Sequence, residues 1–245
     1  MKKFNSLLLS LLLCASMQSG AQTPETGFLD RSITIDNVEH RYQVYVPRSY
    51  RSDSPLPAIL FLHGAGERGD DGLKQTQVGI GAAIRLNPAR WPAITVFPQV
   101  PTGLIWDGEP ARAAMAALDA TLVEFAIDDS RVYLTGISMG GRGTLHLGYH
   151  YSDRFAAIVA ICTPVTSLEF TLAEFAVRTR TIPMWLFHGD ADVVVPVDHS
   201  HQIVAARREA SAPGRYTEFP GVNHNSWDPA YAMEELAEWL FEQKK

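Results

Sequence analysis

A serine lies between two glycines at residues 136–140, which read Gly-Ile-Ser-Met-Gly. An apolar, β-branched run at residues 131–137 leads into this segment, and residues 140–151 have helical spacing after it. At a tight strand-to-helix turn the chain is too crowded for side chains two positions before and after the serine, which explains both glycines. The pattern predicts that Ser138 is a nucleophile of the kind used in acyl transfer.

A serine hydroxyl needs a base, and the base needs an acid that orients it. The acid is predicted to be Asp190 or Asp192, which share one loop after the apolar run at residues 181–187. Spacing alone does not separate these two carboxylates. The base is predicted to be His224, in a loop after the strand pattern at residues 215–219.

An upstream loop supplies candidate hydrogen-bond donors. Residues 63–67 read His-Gly-Ala-Gly-Glu and follow the apolar run at residues 57–62. The tetrahedral intermediate of acyl transfer carries an oxyanion that preorganised N–H groups stabilise. We expect the Met139 N–H as one donor and the Ala65 N–H as the other, with either flanking glycine as the alternative to Ala65.

Three further residues are expected to contact a substrate: Glu67, Trp106 and Trp227. Aromatic walls with a few polar groups suit a small-ligand pocket. The alternative is that Glu67 pairs locally with Arg68 and that Trp106 covers an edge of the core.

The other histidines after Ser138 are given structural or surface roles. His188 opens the loop that carries the acid and is interpreted as structural. No third ligand is evident for the His-x-His pair at residues 199–201, so no metal or other cofactor is predicted. The remaining histidines lie on two predicted helices and are interpreted as solvent-exposed: His146, His150, His199 and His201.

Short apolar runs alternate with helical patterns, which predicts an α/β fold with a single, mostly parallel sheet flanked by helices and no large cap domain. The polar motifs follow strands, and ligands bind at the carboxyl ends of strands in open α/β sheets. Strands are predicted at residues 32–36, 41–46, 57–62, 93–98, 131–137, 156–162, 181–187 and 215–219, the first two as a hairpin. Helices are predicted at residues 109–127, 140–151, 167–179, 197–210 and 229–243.

The composition is that of one globular domain: 46% of the 245 residues are hydrophobic and 20% are charged, with a formal net charge of −6. The sequence has no basic run or stripe, which argues against nucleic-acid binding. Cys162 lies in an apolar strand pattern and is expected to be a buried core thiol.

The first 21 residues have the pattern of a secretory signal peptide: lysines at positions 2 and 3, an apolar run, and small residues before a cleavage point. The apolar run is too short to span a bilayer as a helix. We expect export to the periplasm or the extracellular medium, no stable membrane insertion after cleavage, and a catalytic domain over residues 22–245.

The serine motif, the loop with the candidate acids, the His224 loop and the loop at residues 63–67 together resemble the α/β-hydrolase superfamily. Four segments indicate one branch of it: His-Gly-Ala-Gly-Glu-Arg-Gly at 63–69, Pro-Gln at 98–99, Gly-Ile-Ser-Met-Gly-Gly at 136–141 and His-Gly-Asp-Ala-Asp-Val-Val-Val-Pro at 188–196. They are similar to secreted proteins described as predicted peptidases, phospholipase/carboxylesterase-like or dienelactone-hydrolase-like, close to feruloyl and polyhydroxybutyrate-depolymerase-type esterases. The resemblance implies that the acid is Asp192, three residues after the glycine of His-Gly-x-x-Asp. It also implies that the base, His224, lies in a Gly-x-x-His-x-x-Trp segment with Trp227.

The motifs and the resemblance imply hydrolysis of a small-molecule or polymer carboxylic ester through Ser138, His224 and Asp192, without a cofactor. One alternative is a serine peptidase of the prolyl-oligopeptidase type. A second is a non-catalytic binding protein on a hydrolase scaffold. The chain has no room for a β-propeller gate, so we expect an open site, which favours accessible esters over peptides.

Overall fold

The computed structural model describes residues 24–245, and the predicted signal peptide lies outside the described residues. No helix within residues 24–245 combines the length and the apolar character needed to cross a membrane. The strands are β1 Gly27–Ile35, β2 Val38–Val46, β3 Leu56–Leu62, β4 Ile94–Pro98, β5 Ile127–Ile137, β6 Ala157–Ile161, β7 Met184–Gly189 and β8 Gly214–Phe219. The helices are α1 Ile80–Leu86, α2 Gly108–Glu124, α3 Met139–His150, α4 Leu172–Arg178, α5 Asp198–Glu209, α6 Trp227–Ala232 and α7 Glu234–Glu242.

All eight strands form one sheet in the order β1-β2-β4-β3-β5-β6-β7-β8. The pairs β1–β2 and β2–β4 are antiparallel, and every other neighbouring pair is parallel. The predicted hairpin is confirmed: β1 turns into β2 at Asp36 and Asn37, whose φ values of 50° and 66° suit a two-residue turn. The predicted fold class is also confirmed. Because β3 to β8 run in the same direction, the loops that follow β3, β5, β7 and β8 leave the same edge of the sheet.

Helices cover both faces of the sheet. Successive residues of a strand point to opposite faces, so Leu60 and Leu62 of β3 pack with α2 to α5, whereas Ile59 and Phe61 pack with α1, α6 and α7. The prediction for Cys162 is confirmed, since it is fully buried, and burial raises the pKa of its thiol to about 12.

Several element boundaries differ from the sequence-based expectation: β1 begins at Gly27 rather than at residue 32, and α4 begins at Leu172 rather than at residue 167. Three further differences have a clear physical reason. Ile127, predicted to end a helix, begins β5 because it pairs with Leu56 of β3. The closing helix predicted at residues 229–243 is two helices, since Met233 has an extended backbone with φ −68° and ψ 128°. Helical spacing does not predict α1, which contains Gly81. A Cβ at Gly81 would overlap the backbone of the preceding turn, so tertiary packing explains a glycine that helix propensity disfavours.

Candidate active site

Ser138 lies on the turn between β5 and α3, at the carboxyl end of the sheet. Its backbone has φ 51° and ψ −116°, a conformation that residues other than glycine rarely adopt. Its N–H donates to the Ile161 carbonyl at the end of β6, at 2.9 Å, which holds the turn against the neighbouring strand. Strained backbone persists where the surrounding structure fixes it, and it is concentrated at functional sites.

The two glycines of the motif allow this turn through close approach. A Cβ on Gly136 would overlap the Gly140 carbonyl, and a Cβ on Gly140 would overlap the Leu62 carbonyl at the end of β3. Both obstacles are backbone atoms, so neither could move aside as a flexible side chain could. The glycines therefore let the start of α3 press against the loop that follows β3.

The His224 ring lies between a carboxylate and the serine hydroxyl. Its Nδ1 is 2.7 Å from Asp192 Oδ2, and its Nε2 is 3.0 Å from Ser138 Oγ. Asp192 comes from the β7 loop (residues 190–197), and His224 comes from the β8 loop (residues 220–226). The three side chains are far apart in sequence and meet because parallel strands end at one edge. This arrangement has the connectivity that a nucleophile, a general base and an orienting acid require.

The Asp192 side chain is fully buried and accepts four N–H hydrogen bonds. Its Oδ1 accepts from the backbone N–H groups of Val194 and Val195, at 2.8 and 2.9 Å. Its Oδ2 accepts from His224 and, at 3.2 Å, from His188 Nε2. Burial by itself would raise the pKa of Asp192, but the hydrogen bonds from His224 and the two amides outweigh it and hold the pKa below its usual value. The carboxylate is therefore ionised at neutral pH.

The other candidate acid, Asp190, is exposed and serves a different contact. Its Oδ1 accepts from the Gly221 N–H at 2.6 Å, and its own N–H donates to the Phe219 carbonyl at 3.2 Å. Asp190 thus holds the start of the β8 loop against the start of the β7 loop through hydrogen bonds. This geometry favours Asp192 as the acid, in agreement with the resemblance.

His188 connects the acid to the rest of the β7 loop. It is fully buried, and its Nε2–H points to the Val195 carbonyl at 2.9 Å as well as to Asp192. Its Nδ1 accepts from the Ser200 hydroxyl at 2.7 Å. Burial is the largest influence on the pKa of His188 and lowers it, so the ring stays neutral in one tautomer. The residue is structural, as expected, and it also contacts the acid directly.

The β7 and β8 loops pack backbone against backbone. A Cβ on Gly189 would overlap the Val222 carbonyl. Asn223 Oδ1 accepts from the Val193 N–H at 3.1 Å and from the His224 N–H at 2.7 Å, and so joins the acid loop to the base loop. The sequence reasoning missed Asn223, because asparagine is ordinary in a turn and its partner lies 30 residues away.

The β3 loop (residues 63–69) carries the candidate oxyanion donors. Ala65–Glu67 form a single 3₁₀ turn with Gly64 at the N-cap. The first N–H groups of a helix have no acceptor within it, which leaves the Ala65 N–H available, as it does the Met139 N–H at the start of α3. The Glu67 carboxylate lies beside Gly64, with Oε2 3.1 Å from the place that a Cβ on Gly64 would take. The two donors, Ala65 and Met139, remain predictions.

His63 and Trp106 support the β3 loop from beneath. His63 is fully buried, its Nδ1–H donates to the Gly64 carbonyl at 2.6 Å, and its Nε2 accepts from the Val100 N–H at 3.0 Å. The Trp106 indole N–H donates to the His63 carbonyl at 2.9 Å. Trp106 is 1% exposed, which corrects the expectation that it contacts substrate. Its ring packs against the buried His63 ring, with 5.0 Å between centroids, and not against an open site.

Glu67 and Trp227 remain candidates for substrate contact. Burial raises the pKa of Glu67, although hydrogen bonds from the Gly64 N–H and from its own N–H oppose the change. Its carboxylate turns back to Gly64, beside Ile137, rather than pairing with Arg68. The Trp227 ring meets the His224 ring edge-on, with 5.5 Å between centroids. Trp227 therefore lies beside His224, and Glu67 lies near Ile137, the residue before Ser138.

The chain is similar to several known esterases. It is 28% identical over 156 residues to a bifunctional acetylxylan esterase/xylanase from Neocallimastix patriciarum, a match that covers 62% of this chain and 21% of that protein. The chain is also 27% identical over 207 residues to an uncharacterised secreted protein from Arthroderma benhamiae. This match covers 69% of this chain and 21% of that protein. The chain thus corresponds to about a fifth of the length of these relatives.

Solved structures agree on the fold. A thermostable esterase superposes with a TM-score of 0.79 at 32% identity, covering 89% of this chain and 63% of that one. A ferulic acid esterase from Anaeromyces mucronatus superposes with a TM-score of 0.66 at 18% identity, covering 90% of this chain and 91% of that one, which shows a shared fold. The model of the phospholipase/carboxylesterase family matches residues 111–241, more than half of the chain. The protein belongs to the phospholipase/carboxylesterase family of α/β hydrolases.

Proposed function

We propose that this protein hydrolyses carboxylic esters through an acyl-enzyme on Ser138. The observation that carries the proposal is the position of His224, whose ring nitrogens lie 3.0 Å from Ser138 Oγ and 2.7 Å from Asp192 Oδ2. Membership of a phospholipase/carboxylesterase family supports the same class of reaction.

In the proposed reaction, Ser138 Oγ attacks the ester carbonyl carbon while its proton passes to His224 Nε2. The carbonyl oxygen becomes an oxyanion, which the N–H groups of Met139 and Ala65 stabilise. The tetrahedral intermediate collapses as the alcohol leaves with the proton from His224. Water then attacks the acyl-enzyme with His224 as base again, and the carboxylic acid is released.

Asp192 controls which nitrogen of His224 carries the proton at rest. Its carboxylate accepts the Nδ1–H, which leaves the Nε2 lone pair directed at Ser138. When His224 gains the serine proton, the ionised Asp192 stabilises the imidazolium. The four hydrogen bonds to Asp192 fix its position, so no reorganisation is needed during proton transfer.

The substrate is proposed to be a small-molecule or polymer ester that reaches an open site. The tip of the β7 loop, next to the acid, carries two exposed apolar side chains, Val193 at 81% and Val194 at 64%. Similar proteins are named for acetylxylan and for ferulic acid, so acetyl and feruloyl esters are the first substrates to examine. Glu67 and Trp227 are the proposed substrate contacts at the border of the site.

Export is proposed as well, with residues 1–21 as the signal peptide. The support is the lysine, apolar and small-residue pattern of this segment and the similarity to a secreted fungal protein. Amino-terminal sequencing of the protein from the culture medium and the periplasm checks this. A mature start near residue 22 is expected.

A fluorophosphonate probe tests the nucleophile. The wild-type protein should be labelled covalently, Ser138→Ala should not be labelled, and Ser32→Ala, which changes an exposed serine on β1, should be labelled like wild type. Equal labelling of Ser138→Ala would sink the assignment. A complete lack of labelling in wild type would support the alternative of a non-catalytic binding protein.

A substrate panel tests the reaction class. p-Nitrophenyl esters with acetyl, longer aliphatic and feruloyl acyl groups would be compared with prolyl-peptide substrates at equal concentration. Faster turnover of the esters is expected, because no element of the described residues covers the site as a peptide gate would. Faster turnover of the prolyl peptides would instead support the peptidase alternative.

A further inference from the structure

Two histidines and a glutamate form a second polar cluster, separate from Ser138. His146 and His150 are four residues apart on α3, so both side chains lie on one face of that helix. Glu169 lies in the loop between β6 and α4 and reaches the same face. His146 is roughly 12 Å along the helix from Ser138, given the rise per residue. The cluster therefore takes no part in the proposed proton transfers.

The three side chains converge on one point. Glu169 Oε1 is 2.6 Å from His146 Nδ1 and 2.8 Å from His150 Nε2. The two imidazole rings have 4.6 Å between centroids, and one donor atom from each of the three residues falls within 4.8 Å of the others. A single carboxylate oxygen thus lies between two ring nitrogens that face each other.

A hydrogen-bonded cluster accounts for only part of this arrangement. His150 Nε2 makes a hydrogen bond of ordinary length to Glu169. His146 Nδ1 is buried and 2.6 Å from the same oxygen, but the angle of this contact does not meet the geometry of a good hydrogen bond. A buried ring nitrogen without a hydrogen bond normally costs free energy. Coordination of a cation would use the lone pair of this nitrogen.

We propose that His146, His150 and Glu169 bind a divalent transition-metal ion of the zinc type. Zn²⁺ takes imidazole nitrogens at about 2.0–2.1 Å and carboxylate oxygens at about 2.0–2.2 Å, so tetrahedral donors lie about 3.3 Å apart. The present separations of 2.6 and 2.8 Å would have to open by roughly half an ångström, which two half-exposed side chains, His150 and Glu169, permit.

The donor set selects the metal class. Two imidazoles with a carboxylate suit zinc, nickel or copper, whereas calcium and magnesium prefer oxygen donors alone. Three protein ligands leave a fourth position, which solvent reaches because the His150 and Glu169 side chains are each 42% exposed. Arg142, one turn before His146, is the nearby positive charge that would oppose a cation. Its Nε and Nη2 donate to the carbonyls of Thr166 and Ser167, and Nη2 lies 3.7 Å from Asp107, which offsets part of that charge.

The consequence of metal binding would be structural. The loop that carries Glu169 follows β6, whose last residue holds the Ser138 turn through the Ile161 carbonyl. A metal would join this loop to α3 and so raise the stability of the segment beside the active site. A ligand that binds the native state alone stabilises it by RT ln(1 + L/Kd), where L is the free ligand concentration, so the thermal midpoint rises as that concentration increases.

The test uses the full chain without an affinity tag of histidines, stripped with EDTA and titrated with Zn²⁺ by calorimetry. One equivalent should bind, and the thermal midpoint should rise and return to its starting value with EDTA. His150→Gln and Glu169→Gln change half-exposed residues, so both should remain folded. Losing even an outer hydrogen-bond partner of a ligand weakens metal binding about 10- to 100-fold, and losing a ligand should weaken it at least as much.

Two control variants locate the ion. His201→Gln removes an exposed histidine that bonds to Glu218 at 2.7 Å, and it should bind Zn²⁺ like wild type. His224→Gln should also bind like wild type, although Cys162, Asp192 and His224 lie close enough to offer three ligand atoms. The proposal is overturned if wild type binds no stoichiometric Zn²⁺, if His150→Gln and Glu169→Gln bind unchanged, or if His224→Gln abolishes binding.

Discussion

The same dipeptide, His-Gly, begins the loop after β3 and forms the last two residues of β7. Both histidines are fully buried, yet the two rings hold different groups in place. His63 bonds only to backbone, donating to the Gly64 carbonyl at 2.6 Å and accepting from the Val100 N–H at 3.0 Å. His188 also bonds to backbone but reaches the carboxylate of Asp192, at 3.2 Å.

This difference matches what each loop would contribute to the proposed reaction. The β3 loop would contribute backbone N–H groups, so a histidine that fixes backbone is sufficient there. The β7 loop would contribute the carboxylate of Asp192, and His188 donates a hydrogen bond to that group. Burial lowers the pKa of both histidines, which keeps each ring neutral with one nitrogen as donor and the other as acceptor. A buried histidine in a His-Gly pair can therefore hold a loop in place, whichever functional group that loop carries.

The largest expected effect is at the acid of the β7 loop. Asp192→Asn should lower kcat about 10,000-fold, because an amide cannot hold the His224 tautomer or stabilise the imidazolium. Asp190→Asn keeps an oxygen acceptor for the Gly221 N–H and should change kcat by less than about tenfold. Steady-state kinetics on a p-nitrophenyl ester measure both. The reverse ranking would show that Asp190 is the acid.

The next effect is at the contact between the nucleophile turn and the β3 loop. Gly140→Ala places a Cβ against the Leu62 carbonyl and should lower the free energy of unfolding by about 3 kcal/mol or more and remove activity. Gly66→Ala is the matched control, since nothing lies within 4 Å of its Cβ, and it should cost less than about 0.5 kcal/mol. Urea unfolding and ester hydrolysis report the two effects. An active, stable Gly140→Ala protein would contradict the role of close packing.

His63 should make the stability of the protein depend on pH. Burial lowers the pKa of His63 from its ordinary 6.5 to about 4, so the unfolded chain binds its proton more readily than the folded one between these values. Stability should therefore fall as pH drops from 6.5 to 4, by about 3 kcal/mol from this residue. His63→Gln should be less stable at pH 7 but should show a shallower loss at low pH, measured by urea unfolding across this range. An unchanged slope would argue against a buried neutral imidazole.

His188 should act through the acid rather than through substrate binding. His188→Leu removes the N–H donor to Asp192, and a hydrogen bond to a charged group is worth about 1.5–3 kcal/mol. We expect kcat to fall about 10- to 100-fold with KM unchanged, whereas His201→Gln should alter neither. Thermal unfolding separates this from misfolding. Loss of stability with kcat retained would mean that His188 is purely structural.

The smallest expected effect is at Trp106. Trp106→Phe keeps the ring but loses the hydrogen bond to the His63 carbonyl, so stability should fall by about 1 kcal/mol with KM unchanged. A higher KM without a change in stability would restore Trp106 as a substrate contact.

The sequence alone was sufficient for the fold class and for the main candidates of the site. Strand periodicity and the chain order of Ser138, an aspartate and His224 are local or ordered along the chain, so a single sequence carries them. The predicted boundaries of the elements were wrong where pairing between strands determined them. Ile127 joins β5 because β3 offers it a partner, and that partner is not visible in the local pattern.

The tertiary structure showed which side chains meet at the edge of the sheet, which the sequence alone could not. It separated Asp192 from Asp190, which share one loop but face His224 and Gly221 respectively. It also placed Trp106 beneath the β3 loop, where its indole N–H donates to the His63 carbonyl. The spacing of residues along one loop does not show which way each side chain points. Those directions are set by the packing of loops that leave the same edge of six parallel strands.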